Sequence, residues 1–249
     1  MNKILLDNNQ ISYEENDSFF VDSNLEKITI LKDTIIFMEA NNTKTKLDID
    51  IMENVKAKIN ITGKESFNNI TYNIKENASV IVNKLVQDNN DTIKINLNGL
   101  NAKLIYNYNT INYQESNYQI DVKHNNSKTT SYIYNHGISM NDKKMNFNIK
   151  GYVYPNSSKC ICNQDNKIIH IKENTSVIEP KLYIENYDVE ANHSAYIGTF
   201  KKDQFFYLMS RGVTEEDCYQ LFIKSFILGK LILDKDEMEI FQRKLEKIL

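Results

Sequence analysis

Seven side chains in this 249-residue sequence could bind a metal or carry a proton or thiol chemistry: four histidines and three cysteines. A neutral imidazole can bind a metal. His193 lies in "DVEANHSAYIG", between Asn192 and Ser194, in a stretch that reads as a loop of small and polar residues. Its type and setting fit a metal ligand or a plain surface residue. His124, His136 and His170 lack the spacing of a metal site and are assigned structural roles. Cys160 and Cys162 are two apart, so on a strand both thiols face the same side and could meet one metal. Two ligands do not complete a structural zinc site, and buried cysteine in a β core is the favoured reading of the pair. Cys218 falls on the apolar face of a helix and reads as packed.

Other chemistries are excluded by pattern. No GxxxxGK[ST] phosphate loop is present, so ATP hydrolysis is not expected of this chain. No nucleophile–base constellation is visible by spacing, and the chain is read as a non-enzyme. Thirty basic residues stand against 33 acidic ones, which gives no electrostatic footprint for nucleic acid. No apolar run approaches a membrane span. The opening "MNKILLDNNQISYEEN" is too short in its apolar part for a secretory signal. Three cysteines make no disulfide framework, so a reducing cytoplasm is expected. Triplets such as Asn60-Ile-Thr62 follow from an Asn-rich composition.

The elements that must position these residues are mostly strands. Short runs rich in Ile, Val, Thr and Tyr recur along the chain, among them "TKLDIDI", "KAKINIT", "TIKINLNG", "AKLIYNYN" and "MNFNIKGYVY". Asn, Asp, Ser or Gly bound them. A sandwich, a barrel or a solenoid fits this spacing. Hairpin signals are scarce, with Asn98-Gly99 the one candidate. There are only 7 Gly and 2 Pro, so Asn must supply much of the turning through the left-handed conformation. Asn-rich turns favour stacked coils, although no strict repeat is visible.

The character changes near Asp203. That residue is placed to cap a short helix, "QFFYLMSR", which Gly212 would stop. Thr214 begins "TEED", a capping-box-like start with Asp217 in place of Glu. Cys218, Leu221, Phe222 and Ser225 would share one face of that helix. Asp234 would start a last helix with Met238, Phe241, Leu245 and Ile248 in a stripe. Residues 1–202 are thus read as a β body and 203–249 as a helical region.

The stretch "LYIENYDVEANHSAYIGTFKKDQFFYLMSRGVTEEDCYQLFIKSFI" resembles the C-terminal signature of the SufB/SufD family of iron–sulfur cluster assembly scaffolds. The matching positions are His193, Ala195, Gly198, Gln204, Phe206, Tyr207, Leu208, Ser210, Arg211, Gly212, Glu215 and Glu216. The resemblance implies a right-handed parallel β-helix followed by C-terminal helices. It also implies a SUF complex in which a SufC-like ABC ATPase grips those helices. Phe205, Phe206, Tyr207, Arg211, Thr214, Glu215 and Glu216 would be the docking residues. Before about Asp50 no specific match is seen, and the chain looks short at its N-terminus.

The family's branches differ in their ligands. SufB-like members carry a Cys in the strand before the histidine and a Glu-His-Glu loop. Aligned on His193, Ile184 takes the Cys position and Asn192 and Ser194 the two Glu positions. Only the histidine remains, which is similar to a SufD-like subunit. The resemblance therefore implies that His193 serves a transient iron–sulfur cluster together with a partner's Cys, with no cofactor stably bound to this chain. That partner would be a SufB-like subunit or a second copy. Two rival readings are a polysaccharide-active β-helix and a purely interaction-mediating one. The first needs a carboxylate pair or basic cleft, and the scattered acids here read as solvated strand faces.

Overall fold

A computed structural model describes residues 2–8, 10–14, 16–22, 24 and 26–249, with Ile11 described by its backbone alone. Alternation of buried and exposed side chains along short β-branched runs produces strands that stack in parallel. The chain opens with β1 (Asn2–Asp7), β2 (Gln10–Tyr13), β3 (Phe19–Val21) and β4 (Lys27–Ile30). Coils of two strands follow: β5 (Thr34–Asn41) with β6 (Lys44–Ile51), β7 (Lys56–Lys64) with β8 (Phe67–Ile74), and β9 (Ser79–Gln87) with β10 (Asn90–Leu97). Next come β11 (Lys103–Asn112) with β12 (Ser116–His124), β13 (Thr130–Ser139) with β14 (Met145–Val153), and β15 (Cys160–His170) with β16 (Val177–Ile184). The body closes with β17 (Val189–Gly198).

Odd-numbered strands from β5 onward form one sheet, in the order β17-β15-β13-β11-β9-β7-β5-β1-β2. The others form a second sheet, β16-β14-β12-β10-β8-β6-β4-β3. The result is a parallel β-solenoid of about six turns. It is not the sandwich or barrel that the alternation also permitted. Among the described residues, only the strands β2 and β3 run antiparallel to their neighbours.

Asparagine turns the corners, as the composition implies. Asn54, Asn77 and Asn101 stack at one corner with left-handed backbones of φ 62°, 54° and 59°. Asn77 donates to Asn54 at 3.3 Å and Asn101 to Asn77 at 2.9 Å. Lys128 and Lys159 continue that left-handed column. Glycine does a different job. Asn98-Gly99 forms no hairpin. It lies in the corner between β10 and β11, where a Cβ on Gly99 would stand 2.0 Å from the backbone nitrogen of Glu76. Close coil-to-coil approach requires glycine there.

On the outer face, Asn60, Asn83 and Asn107 form a second ladder, at 2.9 and 3.0 Å. The coils lengthen along the axis: partners in successive coils are 23 residues apart at Asn60–Asn83 and 31 apart at Asn135–Asn166. That drift is why no strict repeat is visible in the sequence.

The interior is mostly Ile, Val and Leu, interrupted by a charged pair. Lys84 points inward from β9 in phase with Val82 and Val86. Its Nζ lies 2.7 Å from Asp91 Oδ2, and both side chains are fully buried. Asn68 Nδ2 donates to the other carboxylate oxygen at 2.7 Å. Tyr108 lies beneath the ammonium at 5.8 Å and stacks on Tyr118 at 3.9 Å. Burial holds the Tyr106, Tyr108 and Tyr118 phenols well above their ordinary range.

After β17 the chain turns back along the outside of the nine-stranded sheet as α1 (Lys202–Met209), α2 (Glu215–Leu228) and α3 (Lys235–Ile248). Thr214 caps α2 by accepting from the Asp217 amide, and Asp234 caps α3 in a full capping box with Glu237. The expected cap at α1 is not made: Asp203 sits within its first turn, and Lys201 at the N-cap offers no acceptor. The expected apolar face of α2 also shifts. Leu221 is exposed, and Cys218, Ile223, Ile227 and Leu228 are buried. The reason is what α2 packs on. Leu85, Ile111, Ile138 and Ile169 on the outer face of the sheet join Ile223, Ile227, Leu231, Phe241 and Leu245 in a second core. Phe241 and Leu245 are fully buried, each worth about 2 kcal/mol.

Two polar attachments hold this segment. Asn83 exchanges hydrogen bonds with both the N–H and the carbonyl of Ile232, at 3.0 Å each. Glu237, itself buried, accepts from Lys58 Nζ at 2.9 Å and Asn60 Nδ2 at 3.0 Å.

Candidate functional site at the open end of the solenoid

Each interior row of a stacked solenoid must end somewhere, and here the rows end uncovered at β16 and β17. Both are edge strands of their sheets. Pairing of β15 with β17 places Ala191 over Cys162, His193 over Gln164, Ala195 over Asn166 and Ile197 over Ile168. Cys162, Gln164, Asn166 and Ile168 point inward and are buried, so His193 shares the inward phase. It is exposed only because no further coil lies on it. From the other sheet, Ile178, Pro180, Leu182 and Ile184 share the inward phase of Phe147, Ile149, Gly151 and Val153.

This arrangement corrects one expectation. His193 is not in a loop but mid-strand in β17. The stretch escaped notice because Ala, Asn, His and Ser show no apolar alternation. Its strand state comes from hydrogen bonding to β15. Ile184, aligned to the family's cysteine position, ends β16 in the opposite sheet, and the register neighbour of His193 is Gln164. Ile184 and His193 thus face the same opening from opposite walls.

Below the opening, Gln164 is buried with neither amide atom bonded. A Cβ on Gly151 would meet Cys162 Sγ at 2.8 Å, Leu182 Cδ2 at 3.0 Å and Gln164 Nε2 at 3.1 Å. Glycine therefore leaves the room these three side chains occupy. Cys160 and Cys162 do share one face, but it is the interior. Cys160 Sγ lies 3.2 Å from Thr129 Oγ1 and 3.4 Å from the Asn126 carbonyl. Burial pushes the Cys162 thiol up to about 11. Among the described residues no three His, Cys, Asp or Glu side chains come together as a metal site. His124 is a core histidine, its ring nitrogens 2.8 Å from Thr129 Oγ1 and from Ser131 Oγ. Burial lowers its pKa to about 4.

The outer side of β17 carries a polar cluster. Asp165, beside Ser194 in register, accepts from Ser194 Oγ at 2.8 Å and Lys167 Nζ at 2.9 Å. His136 Nε2 lies 3.8 Å from the same carboxylate. His136, Lys167 and Ser194 hold the Asp165 carboxyl well below the usual range, against the opposing effect of partial burial. The sequence offered no signal for this cluster, because its members lie on three separate strands.

At the helices, Phe205 packs on Tyr219 and Phe222 at 4.6 and 4.7 Å. Arg211 lies over the Tyr207 ring at 4.5 Å. Phe206 is 67% and Tyr207 57% exposed, so both present aromatic surface to solvent. Thr214, Glu215 and Glu216 are exposed at the start of α2. A cavity of about 510 Å³ opens between α1, α2 and the end of the sheet, lined by His170, Phe200, Phe205, Phe206, Met209 and Tyr219. No helix is long and apolar enough to cross a membrane among the described residues.

Comparison with known proteins matches residues 66–226 to the family model described as SUF system FeS cluster assembly, SufBD core domain. The chain is 30% identical over 115 residues to the iron–sulfur cluster assembly protein SufD of Bacillus subtilis (strain 168), covering 46% of this chain and 26% of that protein. It is 36% identical over 66 residues to an iron–sulfur cluster assembly SufBD family protein of Pyrococcus horikoshii, covering 23% of this chain and 15% of that protein. The matches thus span about a quarter or less of each relative. The core-domain match runs from β8 into α2, taking in the open end and the exposed aromatics together, and the chain belongs to the SufBD family of the SUF iron–sulfur cluster assembly system.

Proposed function

We propose that this chain is a non-catalytic scaffold subunit in which the open solenoid end pairs with a second β-solenoid and α1–α2 dock a SufC-like ABC ATPase. The carrying observation is the uncapped last coil. Its inward row of Ala191, His193, Ala195 and Ile197 faces Ile178, Pro180, Leu182 and Ile184 with no coil above. Both bordering strands keep an unpaired edge. A solenoid end without a polar cap requires cover, and edge strands template pairing with another chain. A SufB-like subunit or a second copy of this chain supplies it.

In this reading the nascent iron–sulfur cluster is cargo held across the junction. His193 presents an imidazole toward the junction, and a partner's thiolates supply the rest, because a single imidazole does not hold a cluster. The exposed Phe206 and Tyr207 with Glu215 and Glu216 form the docking face for the ATPase, in the cytoplasm.

Co-purification with a SufC-like ATPase and a SufB-like subunit tests the assembly. Glu215→Lys with Glu216→Lys is expected to weaken ATPase binding at least tenfold with an unchanged circular dichroism spectrum. His193→Ala is expected to keep fold and binding and to slow cluster formation in the reconstituted complex. Wild-type rates in that variant would remove His193 from the site.

A further inference from the structure

Only one hydrogen bond joins α2 itself to the solenoid among the described residues, and it comes from His136. Phe226 lies in the last turn of α2, where backbone carbonyls lack partners within the helix. His136 Nδ1, on β13, meets that carbonyl at 3.3 Å, so the ring donates from this nitrogen. The Phe226 ring stacks on the imidazole at 4.7 Å, 18° from parallel. The other nitrogen faces Asp165 Oδ2 on β15 at 3.8 Å. Asp165 in turn accepts from Ser194 Oγ on β17 at 2.8 Å. Ser194 is gripped a second time from inside, where Asn166 Nδ2 donates to its carbonyl at 2.9 Å. Ser194 adjoins His193 in the chain.

We propose that His136 is a positioning residue that couples α2 to the open-end strand β17, through Asp165 and Ser194. The inference rests on the docking reading above for its biological use, though the coupling is a property of this chain alone. A partner that moves α1–α2 moves the Phe226 ring and carbonyl with the helix. His136 follows because it is both stacked and bonded. Asp165 is held electrostatically by Lys167 and, when both ring nitrogens carry protons, by His136, so a displaced imidazole changes the pull on the one carboxylate that anchors Ser194. The strand that presents His193 at the opening is thereby released or tightened from the helix side. A separate contact lies just past β17, where Phe200 packs on the Phe222 and Phe226 rings at 5.5 and 6.4 Å; it bypasses Asp165 and Ser194, so the variants below leave it in place.

Coupling of this kind is reciprocal, and reciprocity separates it from simple packing. The test is hydrogen exchange by mass spectrometry on the full chain. Wild type is compared with His136→Leu, Ser194→Ala and the double variant. His136→Leu is expected to speed exchange in residues 190–198 about fivefold, at the low end of measured site-to-site couplings. Ser194→Ala, a change at an exposed site that keeps the fold, is expected to speed exchange in residues 226–231 by a comparable factor. The double variant is expected to add nothing to either single change. Exchange in β5–β7 should stay constant and serves as the control for global destabilisation. An effect of Ser194→Ala confined to β17 would overturn the proposal, whatever His136→Leu does. A second arm adds a SufC-like ATPase. Exchange at residues 190–198 is expected to respond in wild type and not in His136→Leu. Failure of the ATPase to bind would refute docking while leaving the isolated-chain result to decide the coupling.

Discussion

The buried pair of Lys84 and Asp91 makes the sharpest demand on the fold. Lys84→Met keeps length and volume, so the change opens no cavity. It leaves Asp91 fully buried without its cation, with only the neutral Asn68 amide and Tyr108 phenol among the described residues to meet its carboxylate. Breaking a buried pair from one side costs about 3–5 kcal/mol, because the surviving charge stays desolvated. Against a total stability of ~5–15 kcal/mol that is a large fraction. With a urea slope of ~3 kcal/mol/M, the unfolding midpoint should fall by roughly 1–1.7 M. Removing both charges in Lys84→Met with Asp91→Leu should recover most of the loss, since a buried ion pair and an apolar substitute are close in energy. The chain has no Trp and 15 Tyr, so tyrosine fluorescence follows the transition, and exchange in β9 and β10 localises it. A single variant within about 1 kcal/mol of wild type, or a double variant worse than the single, would refute the reasoning.

Two further perturbations follow from burial. His124 has a folded pKa of about 4 against an ordinary value of 6.5. The unfolded chain therefore takes up its proton first as pH falls, and the stability this residue confers is present above pH 6.5 and lost on going down to about 4. The loss is about 3 kcal/mol. His124→Asn should flatten that slope in urea titrations between pH 7 and 4, and an unchanged slope would place the acid sensitivity elsewhere. Glu237→Ala strips Lys58, Asn60 and the Asp234 cap of a shared partner, at a cost of about 2–4 kcal/mol. Limited proteolysis should then cut within residues 229–234 while the strands stay protected; uniform loss of protection would show that the latch is not local.

Much of the fold was legible from residues alone. Alternation marked the strands, Asn marked the corners, and the caps at Thr214 and Asp234 marked two helix starts. What stayed hidden depends on partners remote in sequence. Lys84 interrupts an apolar run in the same phase as Val82 and Val86, which places it inside, but its partner Asp91 lies in the facing sheet. β17 lacks an apolar period because its inward side faces an opening and its outward side faces polar groups. Leu221 looked buried because its helix was judged without the sheet it rests on. The candidate site divided in the same way. His193 was found from the motif around it, but that it faces inward over Gln164 follows only from pairing with β15. Coil lengthening, from 23 to 31 residues between ladder partners, concealed the repeat.

The return path of the C-terminal segment sets a limit on how this molecule can evolve. Repeat arrays gain and lose units readily when each unit touches only its neighbours. Here the segment from Phe226 to Glu237 spans from β13 back to β7, tied at His136, Asn83, Lys58 and Asn60. Duplicating one coil between β7 and β13 would extend the body by one strand spacing, about 4.8 Å, with no matching gain outside. Glu237 would fall one rung short of Lys58 and Asn60, and Ile232 short of Asn83. The number of coils is thus counted by the chain's own tail, and gene duplication within the array is penalised unless the tail lengthens with it.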